Sequence, residues 1–484
     1  MKLFYKPKNG YIGDVIPYYD ENEKRFKLFY LIDWRKDSEA HFSNWSWYLS
    51  ETSDFLNFYE HGEVIKGGTE NDQDYGIWTG SIIKVKDTYH AFYCGGNILF
   101  PKQNKPEQAI CHAVSSDLLN WKKIPEHTFY ARENIYEKND FRDPFLFCNE
   151  QDKEYWMLVT ARVKEGPPKR RGCLALYKSK DLENWKICEP FWKPNLYYVH
   201  ECPDLFKIDN WWYLIFSENN ETTTHYRISK SILGPWKSAT NDTFDANSFY
   251  AAKTAYDGAR RYLFGWIPRK TGKNDYNNWE WGGNLIVHEI TQNTDGTLSV
   301  KVPHTIDNAL SNEVKDDLIP IMGNWKIKGN SLTAEASDSF TFALTEKKMP
   351  ECCKISAKIK FDKYVRDLGI ILRVSDDHEN AYYIRLEPRR NRLVFDMFPR
   401  KTLYPRYTVT SIADSSFIPG HERPIDLIPG KTYQIKIFVE DDICVTYLDD
   451  KVALTSRIYN FNSGKWGVFA NEGNAIFNDV KIFI

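Results

Sequence analysis

Hydrophobic and polar positions along the chain recur in long, repeated units. Five aromatic runs, KLFYL (27–31), HAFYC (90–94), YWMLV (155–159), WYLIF (212–216) and RYLFGW (261–266), each follow a turn rich in Asp, Asn or Gly. A second phrase follows the earlier runs: SDFLNFYE (53–60), SDLLNWKK (116–123), SKDLENWK (179–186) and a weaker SKSILGPWK (229–237). Each unit reads as a short strand, a polar turn, an aromatic strand and a third strand ending at Ser-x-Asp-Leu-x-x-Trp. Short strands and hairpin turns repeated about every 50 to 64 residues predict propeller blades. Five units in order predict a five-bladed β-propeller over residues 1–305.

The phrase stops near residue 305. A polar stretch, IDNALSNEVKDDLIP, predicts a linker at 306–322. Beyond it the pattern alternates. Tyr433, Ile435, Ile437 and Val439 share one face, with Gln434, Lys436 and Glu440 opposite. Asp449 and Asp450 mark a hairpin turn in CVTYLDDKVAL. Period-two alternation predicts a C-terminal β-sandwich at 323–484, so the fold class is all-β throughout.

Composition narrows the function. Aromatics make up 15% of the chain, which suits pleated, half-buried surfaces and also the stacking of sugar rings. A formal net charge of −2 gives no basic excess, so nucleic acid is not an expected partner. No apolar run is long enough for a transmembrane helix, and MKLFYKPKNGYIGD lacks a stretch of signal-peptide length. Nine cysteines without a CxxC fit a reducing compartment, so a cytoplasmic location is expected. No Cys/His cluster has zinc-ligand spacing, and neither a metal nor a cofactor is expected.

Three acids stand at related places. FRDPFLF (141–147) and HECPDLF (200–206) each set an acid and a proline before Leu-Phe, and GDVIPYY (13–19) is a looser version. Asp14, Asp143 and Glu201 precede Phe29, Trp156 and Tyr213 of their aromatic strands by 12 to 15 residues. In a propeller the first strand of each blade lies innermost, so such places converge on one axial pocket. Converging carboxylates repel and raise at least one pKa. One protonated acid and one ionised carboxylate are what glycosidic cleavage requires. Arg142 supplies the positive charge that can keep a neighbour ionised.

With these motifs the chain resembles glycoside hydrolase family 32, the fructan-active enzymes built from a five-bladed propeller and a β-sandwich. FRDPFLF matches the family's Arg-Asp-Pro motif and HECPDLF its Glu-Cys motif. WTGSIIKVKDTYHAFYCGG (78–96) is similar to the Trp-Ser-Gly-Ser strand and its successor, DANSFYAAKTAYDGARRYLFGW (245–266) to the DFYAPQ…W segment, and WGGNLIVHEI (281–290) to the segment closing the last blade. The resemblance implies Asp14 as nucleophile, Glu201 as acid and base, and Asp143 as transition-state stabiliser supported by Arg142. It implies Trp78, Ser81, Phe249 and Tyr250 as pocket-wall residues, core packing being the alternative for each. The implied substrate is a short fructoside. One motif departs: where the family has Trp-Met-Asn-Asp-Pro-Asn-Gly, this chain has YIGDVIPYY, with Gly13 for the Asn before the acid and Val15 for the Pro. That leaves the acids and alters the rim that meets the substrate. Alternative readings are an arabinose- or xylose-type furanosidase of family 43, a fructosyltransferase, and a non-catalytic sugar-binding propeller.

Overall fold

The computed structural model describes residues 2–34, 45–247, 249–398 and 421–484. Two compact units share the chain: Met1–Thr243 with Ser248–Pro268 and Trp281–Leu298, and Phe244–Asn247 with Arg269–Glu280 and Ser299–Ile484. No helix among the described residues is long and apolar enough to cross a membrane.

The first unit is a five-bladed propeller. Its inner strands are Tyr11–Asp20, Gly76–Val85, Arg142–Asn149, Glu201–Ile208 and Tyr250–Tyr256. Each lies against the next, and the fifth against the first, closing a ring. Each inner strand pairs antiparallel with its aromatic strand: Arg25–Asp33, Thr88–Gly96, Glu154–Arg162, Trp211–Glu218 and, from Arg261, the fifth. The aromatic runs pack the joints between blades. Trp156 and Leu158 of the third blade, for example, share one buried cluster with Leu205 and Leu214 of the fourth. Each such side chain, buried from water, contributes roughly 1.5–3 kcal/mol. The ring is closed by the N-terminal segment, whose Tyr5 carbonyl accepts the Leu285 N–H at 2.7 Å.

The repeated phrase is a turn. Ser115 Oγ accepts the N–H groups of Asp117 and Leu118, and Asp117 in turn accepts those of Leu119 and Asn120. Ser179 and Asp181 repeat this a blade later. In both, a buried leucine (Leu118, Leu182) sits at positive φ and plugs the blade edge. These side-chain acceptors hold the backbone in a turn that would otherwise lose its hydrogen bonds. The turn leads into a fourth strand of two residues, Lys122–Lys123 or Lys186–Ile187, too short for any alternation to announce.

The second unit is a β-sandwich. The strand Thr432–Glu440 buries Tyr433, Ile435, Ile437 and Val439, as its alternation predicts. Asp449 and Asp450, both at positive φ, turn Ile443–Leu448 into Val452–Arg457. The 19-residue strand Lys465–Phe483 pairs with Ser331–Thr345, Cys352–Phe361 and Asp367–Val374, and so ties its layers together. Residues 304–322 carry a helical turn and two short strands, the second of which, Leu318–Met322, pairs with Ser331–Thr345.

Candidate active site

One irregularity occurs at the same place in all five inner strands. Between Gly13 and Ile16, Ile77 and Gly80, Arg142 and Phe145, Glu201 and Asp204, and Tyr250 and Lys253, two inner residues oppose one on the aromatic strand. These are β-bulges, and Asp14, Asp143, Cys202 and Ala251 hold positive φ within them. A bulge re-aims side chains at one level of the ring, and positive φ in a non-glycine residue is strain retained by its surroundings.

The bulges refine the matched spacing of the three acids. Asp14 and Asp143 are the first extra residue of their bulges. Glu201 stands one place earlier, level with Arg142 and Tyr250 of the adjoining blades. The physical result is that Glu201 is gripped from both sides. Arg142 donates to it at 2.8 Å and the Tyr250 hydroxyl donates to its other oxygen. The place after Glu201 is Cys202, whose left-handed backbone turns its N–H onto Asp143 at 3.0 Å. Asp14 accepts the Thr79 hydroxyl at 2.7 Å and the Trp266 indole N–H at 3.2 Å.

Charge is unbalanced here. Arg142 is shared among Asp140 at 2.6 Å, Glu201 at 2.8 Å and Asp143 at 3.8 Å. Burial works against its charge, but Glu201, Asp143 and Asp140 outweigh burial and hold it above its ordinary value. Asp14 is pushed up to about 6, first by burial and then by Asp143 and Glu201, against the pull of Thr79 and Trp266. Asp143 is also raised, again by burial first, with Arg142 opposing. Tyr250 is held far above the usual phenol range by burial and by Glu201, so it stays a donor.

Of the other expected wall residues, Ser81 and Phe249 have side chains buried within the blades. Ser81 is buried and its Oγ accepts the Leu146 N–H, joining the second and third blades. Phe249 is buried against Gly265 and His288. Trp78 is half-buried beside Gly76 and Gly96, while its carbonyl accepts the Trp47 indole. Thr79, Trp266 and Asp140 complete the site without a sequence motif of their own. The only signals for the first two were their places in the WTGS and LFGW segments.

Among the described residues one group has metal-ligand spacing: Glu218, Glu221 and His225, with ligand atoms within 4.8 Å of one another. Glu218 already accepts the N–H groups of Asn220 and Glu221, and His225 lies 3.3 Å from Asp242, which helps raise its pKa. Ion pairing and turn capping account for these groups.

The arrangement gathers three acids and an arginine at one level of the inner strands of a five-bladed propeller. The profile for the glycosyl hydrolases family 32 N-terminal domain matches residues 5–301, and that for the GH32, BT1760-like, C-terminal domain matches 296–482. The chain belongs to glycoside hydrolase family 32. It is 27% identical to the sucrose-6-phosphate hydrolase of Vibrio alginolyticus over 52% of this chain and 53% of that one. It is 22% identical to the raffinose invertase of Escherichia coli over 90% and 86%. The chain spans about half the length of the first of these relatives. Its fold matches fructan 1-exohydrolase IIa from Cichorium intybus with a TM-score of 0.73 at 17% identity, covering 99% of this chain and 96% of that one.

Proposed function

We propose that the protein is a retaining hydrolase that removes terminal β-fructofuranosyl residues from short, soluble oligosaccharides. The observation that carries this reading is the convergence of Asp14, Asp143 and Glu201, with Arg142, on one level of bulges. An Asp14 oxygen attacks the anomeric carbon as the bond to the leaving oxygen breaks, and Glu201 gives its proton to that oxygen. Water then attacks the same carbon, giving its proton to Glu201, and the Asp14 ester breaks. Asp143, fixed by Cys202 N–H, faces the positive charge that develops on the ring. Its side chain is 5% exposed against 18% for Glu201, so Glu201 is the acid that can exchange its proton with water between turnovers.

In this reading residues 1–305 form the catalytic domain, 306–322 a linker and 323–484 an accessory sandwich. The nine unpaired cysteines support a reducing, hence cytoplasmic, compartment.

The test is fructose release from sucrose, 1-kestose, levanbiose and raffinose, followed by chromatography. Free fructose supports the reading. Fructose appearing only on a longer fructan supports a transferase, and no fructose from any member overturns the reading. The pH profile is a second check. Asp14 attacks only when ionised, so kcat/KM falls as pH drops through about 6, within about a unit. An acid limb that stays level down to pH 4 removes Asp14 from the attacking role.

A further inference from the structure

Lys253, in the inner strand of the fifth blade, is a lysine with only 3% of its surface exposed. It is the first residue past that blade's bulge, opposite Phe264. Phe145 and Asp204 hold the same place in the third and fourth blades, opposite Leu158 and Ile215. The Lys253 side chain runs toward those two blades rather than out to water. Its Nζ donates to the Pro203 carbonyl at 3.1 Å and lies 5.6 Å from the centre of the Phe145 ring. Among the described residues its ammonium bonds no carboxylate. Asp204, the acid at its own level, accepts the Thr254 N–H at 2.5 Å instead, and its charge acts on Arg261. A buried ammonium without a carboxylate partner is costly unless a wider field offsets the cost. That field lies one level up. Pro203 belongs to the bulge between Glu201 and Asp204, next to Cys202, whose N–H fixes Asp143. Three acids gather there, and Arg142 is divided among Asp140, Glu201 and Asp143.

The structure assigns Lys253 as the second positive charge of the acid site, a positioning residue that acts on Asp143 from the level below it. This rests on the hydrolase reading and adds a residue to its machinery. Asp143 can face the charge developing on the sugar ring only while it is ionised. Its titratable neighbours come from all five blades: Asp14 from the first, Cys94 from the second, Arg142 beside it, Glu201 and Cys202 from the fourth and Lys253 from the fifth. Burial and Glu201 favour the neutral carboxyl, while Arg142, the Cys202 N–H and Lys253 favour the anion. Arg142 serves three acids at once, whereas Lys253 has no carboxylate of its own to neutralise. Its bond to Pro203 also holds the bulge that carries the Cys202 N–H, so charge and contact serve the same acid.

Two variants separate charge from contact. Lys253→Gln keeps a donor for the Pro203 carbonyl without the charge, and Lys253→Arg keeps both. A thermal melt confirms that each is folded, and Lys253→Met, of similar length, replaces the glutamine variant if that one is not. The first readout is the infrared carbonyl band of the protonated Asp143 carboxyl, assigned by its loss in Asp143→Asn. Removing a nearby positive charge favours the protonated form, so the band titrates about one pH unit higher in Lys253→Gln and returns in Lys253→Arg. On 1-kestose the acid limb of kcat/KM moves the same way, with a loss of about tenfold below pH 6 and a smaller one above pH 7, chiefly in kcat. A band that titrates at the same pH in Lys253→Gln and the unmodified protein overturns the assignment. So does a loss of activity that is uniform across pH, which is what packing alone would give. The infrared titration needs no turnover. If the unmodified protein releases no fructose from any fructoside and the band still moves, the charge assignment stands and the hydrolase reading falls.

Discussion

Asp14→Asn abolishes turnover and makes the protein more stable at neutral pH. The first half follows from removing the nucleophile, a loss of about three to five orders of magnitude in kcat. The second half follows from the raised pKa. Folding lifts the Asp14 carboxyl from 3.8 to about 6, so the folded state binds this proton more tightly than the unfolded chain does. A group shifted upward stabilises the fold below its unfolded pKa and loses that contribution as pH rises through its folded value. Ionised Asp14 therefore costs about 2–3 kcal/mol of stability at pH 7.5, and a neutral amide removes that cost. The substituted amide keeps the neighbours of this position satisfied: the Trp266 N–H donates to the amide oxygen and the Thr79 hydroxyl rotates to accept from the amide nitrogen. Denaturant melts of both proteins at pH 4 and 7.5 check this. The gap between them closes at pH 4. An Asn variant that is active, or one no more stable at pH 7.5 than at pH 4 relative to its parent, contradicts the role given to Asp14.

The parts of this design that are legible in the chain are those encoded locally. Aromatic runs and Ser-x-Asp-Leu turns repeat because every blade needs the same packed joint and the same side-chain-capped corner. The acids are legible because each is tied to a proline or a glycine at a strand entrance. The matched spacing of Asp14, Asp143 and Glu201 places them on one ring, but spacing alone cannot count a bulge. One residue of offset put Glu201 level with Arg142 and Tyr250 rather than with Asp14, and this offset is what gives Glu201 two donors.

The contacts made across the ring were not legible. Thr79 is 65 residues from Asp14 and Trp266 is 252. Neither differs in type from a strand residue packed in a core. Ser81 and Phe249 show the converse, since both lie in family-like segments yet the Ser81 side chain is spent on joining two blades and Phe249 packs inside the fifth. The Gly13 change reads in the sequence as a lost side chain. Its meaning comes from Trp281, 268 positions later, which occupies the vacated volume.

Glu201→Gln splits substrates by leaving group. The amide is nearly the same size and keeps contacts with Arg142 and Tyr250, so the pocket survives while the transferable proton is lost. The glucose of sucrose would leave as a sugar alkoxide and needs that proton, so the first-turnover rate on sucrose falls by about two to four orders of magnitude. Nitrophenolate leaves a nitrophenyl β-fructofuranoside without it, and the Asp14 ester forms at close to the normal rate. Deglycosylation then stalls, because the same residue activates water. Rapid mixing therefore shows a burst of nitrophenol equal to the enzyme concentration, followed by a slow steady rate. Azide, which needs no base, attacks the anomeric carbon directly and restores the steady rate as fructosyl azide. The Glu201 carboxyl thus serves both halves of one cycle, and the burst with azide rescue reads each half separately. Equal first-turnover losses on both substrates would remove Glu201 as the acid, and a burst without azide rescue would remove it as the base.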